Sequence, residues 1–531
     1  MSRLRRTPLR SIIRKRMRSR GKDGQTLLPE RLEGAIYGHL VGDALGVPYE
    51  FTAAEHIDEV VWRGYGTYDQ PPGTWSDDGA LMLALLDSLL SVGFDTADQS
   101  RRALSWRDEG AYAPGALVFD IGSATSRALG DLAAGTRPKQ AGAVDALGNG
   151  SLMRILPLAL VLREVDDEEL VDRATRASRV THGSAEAQIA CGLYSLIVRR
   201  LLAAEHDRAE VLVAARGDLR AVLRSRGLAG SKEAASPPKA VAALEAFEGW
   251  PTREGSGRVV DSFWSAWDSF AAAANFPSTV IAAVKLGRDT DTTAAIAGGL
   301  AGAYWGIGGV PSAWHRGLCD RHVPQELVDR LVATDASEWD GTPWRTSRRR
   351  PLRVDLMELD GTDLAANGGA VGMTFMPGKR YLGYYSGPHW RDLDSDAQSL
   401  REQGVDVLLL LVEDHELERC RATDVTDVLP RYGVELIRHP LVDLEAPSNS
   451  DTYRHTLEAL VARVRSGQTL AIACRGGLDR AGMTSACLLR EAGLDADTAI
   501  DRVHVARRHT LTLPNQIKYV RDWPTGHRSG R

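Results

Sequence analysis

Two short acidic clusters stand far apart in the chain, Ser76-Asp77-Asp78 and Asp289-Thr290-Asp291-Thr292. Each precedes an apolar run of helical character, 80–90 after the first and 294–305 after the second. Clustered carboxylates repel one another, and a divalent cation resolves that cost; hard cations such as Mg²⁺ take carboxylate and hydroxyl oxygens. Two such clusters brought together would hold two ions about 3.5–4 Å apart, the spacing that activates a water and orients a substrate. Asp and Ser are also favoured helix N-caps, and acids in a first turn complement the helix dipole. Capping would explain one Asp; two clusters carry more oxygen ligands than two caps need.

A second constellation is Cys474-Arg475-Gly476-Gly477-Leu478-Asp479-Arg480, a C-x5-R pattern. An apolar strand over 469–473 leads in and a helix from 481 leads out. Gly476 and Gly477 permit a tight loop, whose N–H groups together with the helix N-terminus make a cradle for one phosphate. Arg480 would clamp that phosphate through two parallel hydrogen bonds. The same positive field favours Cys474 as a thiolate nucleophile. The leaving oxygen needs an acid, and Asp443, in His439-Pro440-Leu441-Val442-Asp443 after a strand over 434–437, is the candidate.

The elements that must position these residues differ along the chain. The 531 residues imply two to four domains at about 100–200 residues each. From 32 to about 332 the pattern is helical, with Ala, Leu and Val at three- and four-residue spacing over 185–203, 208–226 and 156–163. Gly34, Gly38 and Gly42 fit a buried helix that approaches a neighbour closely; His39 and Asp43 interrupt any membrane-packing reading. Residues 228–257, with Pro237-Pro238 and several Gly and Ser, read as a loop-rich insertion. Residues 335–353 read as a polar linker. Beyond it, apolar strands over 405–412, 434–437 and 469–473 alternate with helices over 452–465, 481–491 and 496–507, the signature of a mostly parallel sheet covered by helices. The expected organisation is a basic disordered tail over 1–30, an all-α domain over 31–335, a linker over 336–353 and an α/β domain over 354–531.

Composition narrows the function. A hydrophobic content of 43% with 25% charged residues is that of a globular protein, and the net charge of −5 argues against a general nucleic-acid binder. The tail carries ten Lys or Arg between Arg3 and Lys22 and reads as solvated disorder. No run reaches the roughly 18 apolar residues of a membrane span. Five cysteines without a C-x-x-C pair argue against disulfides or zinc and fit a reducing cytoplasm. Twelve scattered tryptophans suggest no stacking platform.

The first region resembles the ADP-ribosylglycohydrolase family. The resemblance rests on the 34–51 stretch from Gly34 through Gly38, Gly42-Asp43, Gly46 and Pro48 to Glu50-Phe51. It also rests on Gly73-Thr74-Trp75-Ser76-Asp77-Asp78, Gly148-Asn149-Gly150-Ser151, Thr181-His182-Gly183, Gly255-Ser256-Gly257 and Asp289-Thr290-Asp291-Thr292, all in the family's order. It implies an all-α bundle with two Mg²⁺ ions, Mn²⁺ being the alternative, that hydrolyses the bond joining ADP-ribose to an acceptor. The implied metal ligands are Ser76, Asp77, Asp78, Asp289, Asp291 and Thr292, with Ser76 where the family usually has Thr. Glu50 is implied in substrate handling or proton transfer. The loops carrying Gly148, Asn149, Gly150 and Ser151, and Gly255 and Gly257, suit close approach to diphosphate or ribose. His182 would line the site or serve as a hydrogen-bonded core histidine.

Residues 370–522 resemble the cysteine-dependent dual-specificity phosphatases, in particular those related to cyclin-dependent kinase inhibitor 3. The resemblance implies Cys474 as nucleophile, Arg480 as clamp and Asp443 as acid, with Gly476 and Gly477 in the phosphate loop. Ala473 and Ala481 depart from it, since the family usually has His before the cysteine and Ser or Thr after the arginine. That hydroxyl helps expel the thiolate when phosphocysteine is hydrolysed, so Ala481 predicts slow turnover or a substrate trap. The expected partners are an ADP-ribosylated protein or small molecule and a phosphoprotein or other phosphoester, with neither membrane nor specific nucleic acid. The competing reading is an ADP-ribose reader coupled to a catalytically weak phosphate-binding scaffold.

Overall fold

A computed structural model describes residues 26, 28–203, 207–228, 236–334, 344–383, 387–448 and 450–524. The basic stretch from Arg3 to Lys22 lies outside the described residues. The chain divides into two compact units, Met1–Val332 and Ala333–Arg531.

The first unit is helical. Its main helices are α1 (Leu28–Gly46), α2 (Asp77–Val92), α3 (Thr96–Glu109), α4 (Ser123–Ala133), α5 (Leu156–Val161), α6 (Asp167–Ser178), α7 (Ala185–Leu202), α8 (Arg208–Arg226), α9 (Pro237–Glu248), α10 (Val259–Ala272), α11 (Phe276–Val284), α12 (Thr290–Trp305) and α13 (His322–Ala333). Helices α1 and α12 are buried nearly all round and form the centre. They run antiparallel along a stripe of small residues. A Cβ on Gly34, Gly38 or Gly42 would lie 2.5, 2.4 or 2.1 Å from the carbonyl oxygen of Gly302, Gly298 or Ala294. Any side chain there would force the backbones apart. The close approach continues at Gly46, against Asp291, so the end of α1 delivers Glu50 to the start of α12.

Residues 228–257 correct an expectation. Residues 237–248 are not loop: Pro237 and Pro238 occupy the first turn of α9, where a missing N–H costs nothing. Ala240, Leu244 and Phe247 bury one face of it.

The second unit is built on β1 (Asp355–Leu356), β2 (Ala370–Phe375), a hairpin β3 (Arg380–Gly383) and β4 (Gly387–Trp390), α14 (Leu393–Glu402), β5 (Val407–Leu410), α15 (Asp414–Arg419), β6 (Glu435–Arg438), α16 (Ser450–Arg465), β7 (Thr469–Cys474), α17 (Asp479–Glu491), α18 (Ala496–Ala506) and α19 (Pro514–Arg521). The sheet order is β1-β2-β7-β5-β6, all parallel except β1. One core packs α16 and α17 on one face through Leu457, Leu460 and Leu488; a second packs α14 on the other through Ala397 and Leu400. Strand β2 and the hairpin went unread in the sequence, because the Gly372 and Pro377-Gly378 positions interrupt the apolar pattern. Part of the stretch placed in the linker by composition is packed here, while 348–351 stay exposed. Trp344 meets Trp390 edge-on at 5.7 Å, and Thr346, Ser347 and Leu352 are buried. No helix among the described residues is long and apolar enough to cross a membrane. The five cysteines are free thiols.

Candidate active sites

Both acidic clusters lie at helix starts, where acids complement the helix dipole, though only Ser76 caps through its side chain. Ser76 is the N-cap of α2 and Asp289 that of α12. Asp43, on α1, accepts from the Ser76 and Gly79 amides at 2.9 and 2.8 Å, which locks α2 onto α1. The clusters then meet. Thr292 Oγ1 donates to Asp78 Oδ2 at 3.1 Å, and Ser76 Oγ donates to the same oxygen at 3.2 Å. Asp289 is held by Asn149 Nδ2 at 2.7 Å and, through its own amide, by the Gly255 carbonyl at 3.0 Å.

Glu50 joins them from the end of α1. Carboxylate oxygens of Glu50, Asp291 and Asp120 all lie within 4.8 Å of one another. Asp120 was missed in the sequence. It stands in a non-helical connection with positive φ, so no periodicity marks it, and the Tyr68 hydroxyl donates to it. Burial, together with mutual repulsion, raises these acids. Glu50 is pushed up to about 9 by burial, Asp120 and Asp289, and Asp77, Asp78 and Asp291 rise well above the carboxylate range for the same reasons. Asp78 Oδ1, Asp291 Oδ2 and Glu50 Oε2 are buried without a partner. Stranded anionic oxygens cost several kcal/mol each unless a cation answers them. An all-oxygen donor set of this kind suits a hard divalent ion.

Above the cluster lies a cavity of about 490 Å³, whose wall includes Glu50, Asp77, Asp120, Asp289 and Thr292. The Gly148, Asn149 and Gly150 loop, His182 and Gly257 form the facing wall. Ser151 lies behind, hydrogen-bonded by Ser178 at 2.9 Å. His182 does both things expected of it: it is buried with Nδ1 2.9 Å from Thr181 Oγ1, and it borders the cavity. Burial and Arg154 pull it down to about 3, so it is neutral. Gly255 is one step removed, acting through the Asp289 amide.

In the second unit Cys474 ends β7, buried, beyond the carboxyl ends of the parallel strands, where open α/β sheets bind ligands. Gly477 has φ +66°, and a Cβ there would lie 2.4 Å from the Thr374 carbonyl, so the loop turns against β2. Helix α17 starts without a side-chain cap, leaving its first amides for a ligand. Arg480, however, is fully engaged through its Nη atoms. It donates to both Glu416 oxygens at 2.6 and 2.8 Å and lies 3.2 Å from Asp443. Arg475 closes a ring, reaching Glu416 at 3.2 Å and Asp443 at 2.8 Å. Glu416 and Arg475 were not read from the sequence as site residues. Glu416 lies in a capping box with Glu413, the one local signal it carries. Burial acts to raise Glu416, but Arg480, the Glu413 amide and Arg475 outweigh it and hold it below the usual range.

The sequence model of the ADP-ribosylglycohydrolase family matches residues 24–341. That of cyclin-dependent kinase inhibitor 3 matches 346–498. The chain is 32% identical over 329 residues to the ADP-ribosylarginine hydrolase Tri1 of Pseudomonas putida (strain GB-1), covering 58% of this chain and 82% of that protein. It is 29% identical over 315 residues to the ADP-ribosyl-[dinitrogen reductase] glycohydrolase of Rhodospirillum rubrum, covering 57% and 96%. Among solved structures, kinase associated phosphatase with its catalytic-site cysteine changed to serine aligns at 20% identity. That alignment covers 32% of this chain and 93% of that one, with a TM-score of 0.28.

Proposed function

The chain belongs to the ADP-ribosylglycohydrolase family, and on that premise we propose that its first unit is a metal-dependent hydrolase releasing ADP-ribose from ADP-ribosylated arginine. The observation that carries the reading is the Thr292–Asp78 contact, which joins the two acidic clusters at the cavity wall. Arginine as acceptor is supported by the likeness to a protein named ADP-ribosylarginine hydrolase. An acid-lined cavity also suits a cationic guanidinium.

Asp77, Asp78, Asp289, Asp291, Thr292 and Ser76 would hold two divalent ions, Mg²⁺ or Mn²⁺; the unpartnered Asp78 and Asp291 oxygens and the Thr292–Asp78 contact support that reading. When bound, such ions supply polarisation of ribose hydroxyls and of a water. The chain's own residues do the rest. The Gly148–Gly150 loop and His182 wall the ligand in, and Asn149 orients Asp289. Glu50 Oε2, buried and unpartnered, holds the proton that moves between water and leaving nitrogen. The anomeric carbon loses its bond to nitrogen and gains one to the water oxygen; the nitrogen leaves with a proton. Tyr68 fixes the orientation of Asp120 beside Glu50.

For the second unit we infer a cysteine-phosphatase-like site acting on a phosphoprotein or another phosphoester. Cys474 Sγ would bond to phosphorus as the ester oxygen departs with a proton from Asp443, while Arg480 holds the equatorial oxygens. A specific observation favours a second reading, a phosphate-binding scaffold with weak turnover: the clamp Arg480 is already ringed by Glu416 and Asp443, and Ala481 offers no hydroxyl.

The test is incubation of the full chain with ADP-ribosyl-arginine and ADP-ribosyl-serine peptides, with Mg²⁺ or with EDTA, measuring free ADP-ribose. Metal-dependent release from the arginine peptide is expected. Release from neither peptide, with ADP-ribose still bound, would point to a reader.

A further inference from the structure

Four arginines around the second site each have an acid. Arg480 and Arg475 share Glu416 and Asp443, Arg391 holds Asp396, and Arg507 holds Asp355. Lys379 differs. It follows β2, is 3% exposed, and among the described residues takes part in no ion pair. Its Nζ donates to the Arg475 carbonyl at 3.0 Å and sits 4.6 Å from the centre of the Phe375 ring. Phe375 and Cys474 are register partners on the parallel strands β2 and β7, so Lys379 reaches the loop from the strand beside the cysteine. The titratable and charged groups around it are the Cys420 and Cys474 thiols, the guanidiniums of Arg391 and Arg507, and the His389 imidazole on β4, which burial and the neighbouring cations hold neutral.

An ammonium has three donors, and here one is used. Burying such a charge without an opposite one is costly, so the site is built for an anion. The anion the loop itself can place there is a Cys474 thiolate or the oxygens of a bound phosphate. Neither Ala473 nor Ala481 offers a donor to either.

We propose that Lys379 is a positioning residue of the second site, whose ammonium fixes the Arg475 carbonyl and supplies the unbalanced positive charge that stabilises the Cys474 thiolate and a tetrahedral dianion in the loop. The inference rests on the reading of Cys474 as the nucleophile of an anion cradle. Burial, aided by the Arg391 and Arg507 guanidiniums and opposed by the Cys420 and Cys474 thiols, pulls Lys379 down to about 7. An anion beside it therefore draws its proton back near neutral pH.

The experiment follows alkylation of Cys474 by iodoacetamide in the full chain, read by mass spectrometry of the Cys474 peptide across pH, with and without inorganic phosphate. In Lys379→Met the rate at pH 6.5 should fall about tenfold, with the plateau at high pH unchanged. Protection by phosphate should weaken about tenfold. A rate at pH 6.5 equal to wild type overturns the proposal, and so does a plateau that falls in parallel, which marks a merely structural role. If Lys379→Met does not fold, Cys474→Ser decides. Sulfate binding followed calorimetrically at pH 7.5, in two buffers of different ionisation heat, should take up protons; no uptake overturns the proposal. Absence of phosphate protection in the wild-type protein would sink the cradle reading and the dianion half of the proposal, leaving the pH profile to judge the thiolate half.

Discussion

The wall of the first cavity gathers Asp77, Asp120, Asp289 and Glu50 over Asp78 and Asp291, and among the described residues no basic side chain is hydrogen-bonded to any of them. The second site has the reverse arrangement: Glu416 and Asp443 are matched to Arg480 and Arg475, and Lys379 is left over. Both sites use helix starts, whose amides favour negative charge. In the first unit carboxylates gather at two such starts, with Ser76 capping α2 and α12 starting without a side-chain cap, an arrangement that suits a cation. In the second, α17 also starts uncapped, but its Asp479 is turned to Thr512, an arrangement that suits an anion. The same backbone device therefore suits opposite ligands, according to whether carboxylates gather at it.

The sharpest break of this contrast is removal of one carboxylate from the first site. Asp77→Ala or Asp291→Ala should lower release of ADP-ribose by about 10³-fold or more and weaken metal binding. Full activity in either would refute the ligand assignment. Cys474→Ser should abolish aryl-phosphate cleavage and leave ADP-ribose release intact; loss of both would show that the two sites are coupled.

Next in size is the ring of charges. Glu416→Gln leaves Arg480 buried without its main partner and should destabilise the second unit by about 3–5 kcal/mol. Chemical denaturation would show it as an early transition of that unit alone. An unchanged midpoint would mean that Asp443 suffices to neutralise Arg480.

Smaller, but opposite in sign between the units, is the response to pH. Glu416 is held below its ordinary value of 4.5, so its contribution is fully present above pH 4.5 and lost as pH falls through its lowered folded value. In metal-free protein Glu50 behaves inversely. Folded, it titrates at about 9 instead of 4.5, so between those values the folded state keeps a proton that the unfolded chain releases. Stability of the stripped first unit should therefore fall as pH rises from 6 to 8. Differential scanning calorimetry in EDTA checks this, and added Mg²⁺ should flatten the dependence.

Much of this contrast is legible in the sequence, and the remainder is hidden for definable reasons. The acidic clusters announce themselves because their residue types recur at helix starts, and the Gly34, Gly38, Gly42 spacing announces a close helix pair. The C-x5-R loop is legible because a strand and a helix flank it. Asp120, Arg475 and Glu416 are not, since each matters through a neighbour far along the chain: Asp120 through Glu50 and Asp291, Glu416 through Arg480. Lys379 is the extreme case, an ordinary lysine in sequence whose meaning comes from burial beside another strand's loop. The helix over Pro237–Glu248 was hidden by its two prolines, which break a helix interior but begin a first turn.

The smallest effect bears most directly on what the second site is for. Ala481 is buried in the first turn of α17, one residue after Arg480, the proposed clamp. A hydroxyl there would donate toward the thiolate as it departs from phosphorus, so Ala481→Ser should raise steady-state aryl-phosphate turnover by about tenfold, roughly 1.4 kcal/mol of barrier. Protection of Cys474 by phosphate should not change, because on the proposed reading ground-state binding would use the loop amides, Arg480 and Lys379. If turnover rises alone, the second unit is a phosphatase slowed at one atom, and its contrast with the first unit is one of rate. If turnover stays flat while phosphate still protects, departure of the thiolate is not what limits it. The ring of Glu416, Asp443, Arg475 and Arg480 then marks a site made to hold an anion, where the first unit's unbalanced carboxylates mark one made to act on its ligand.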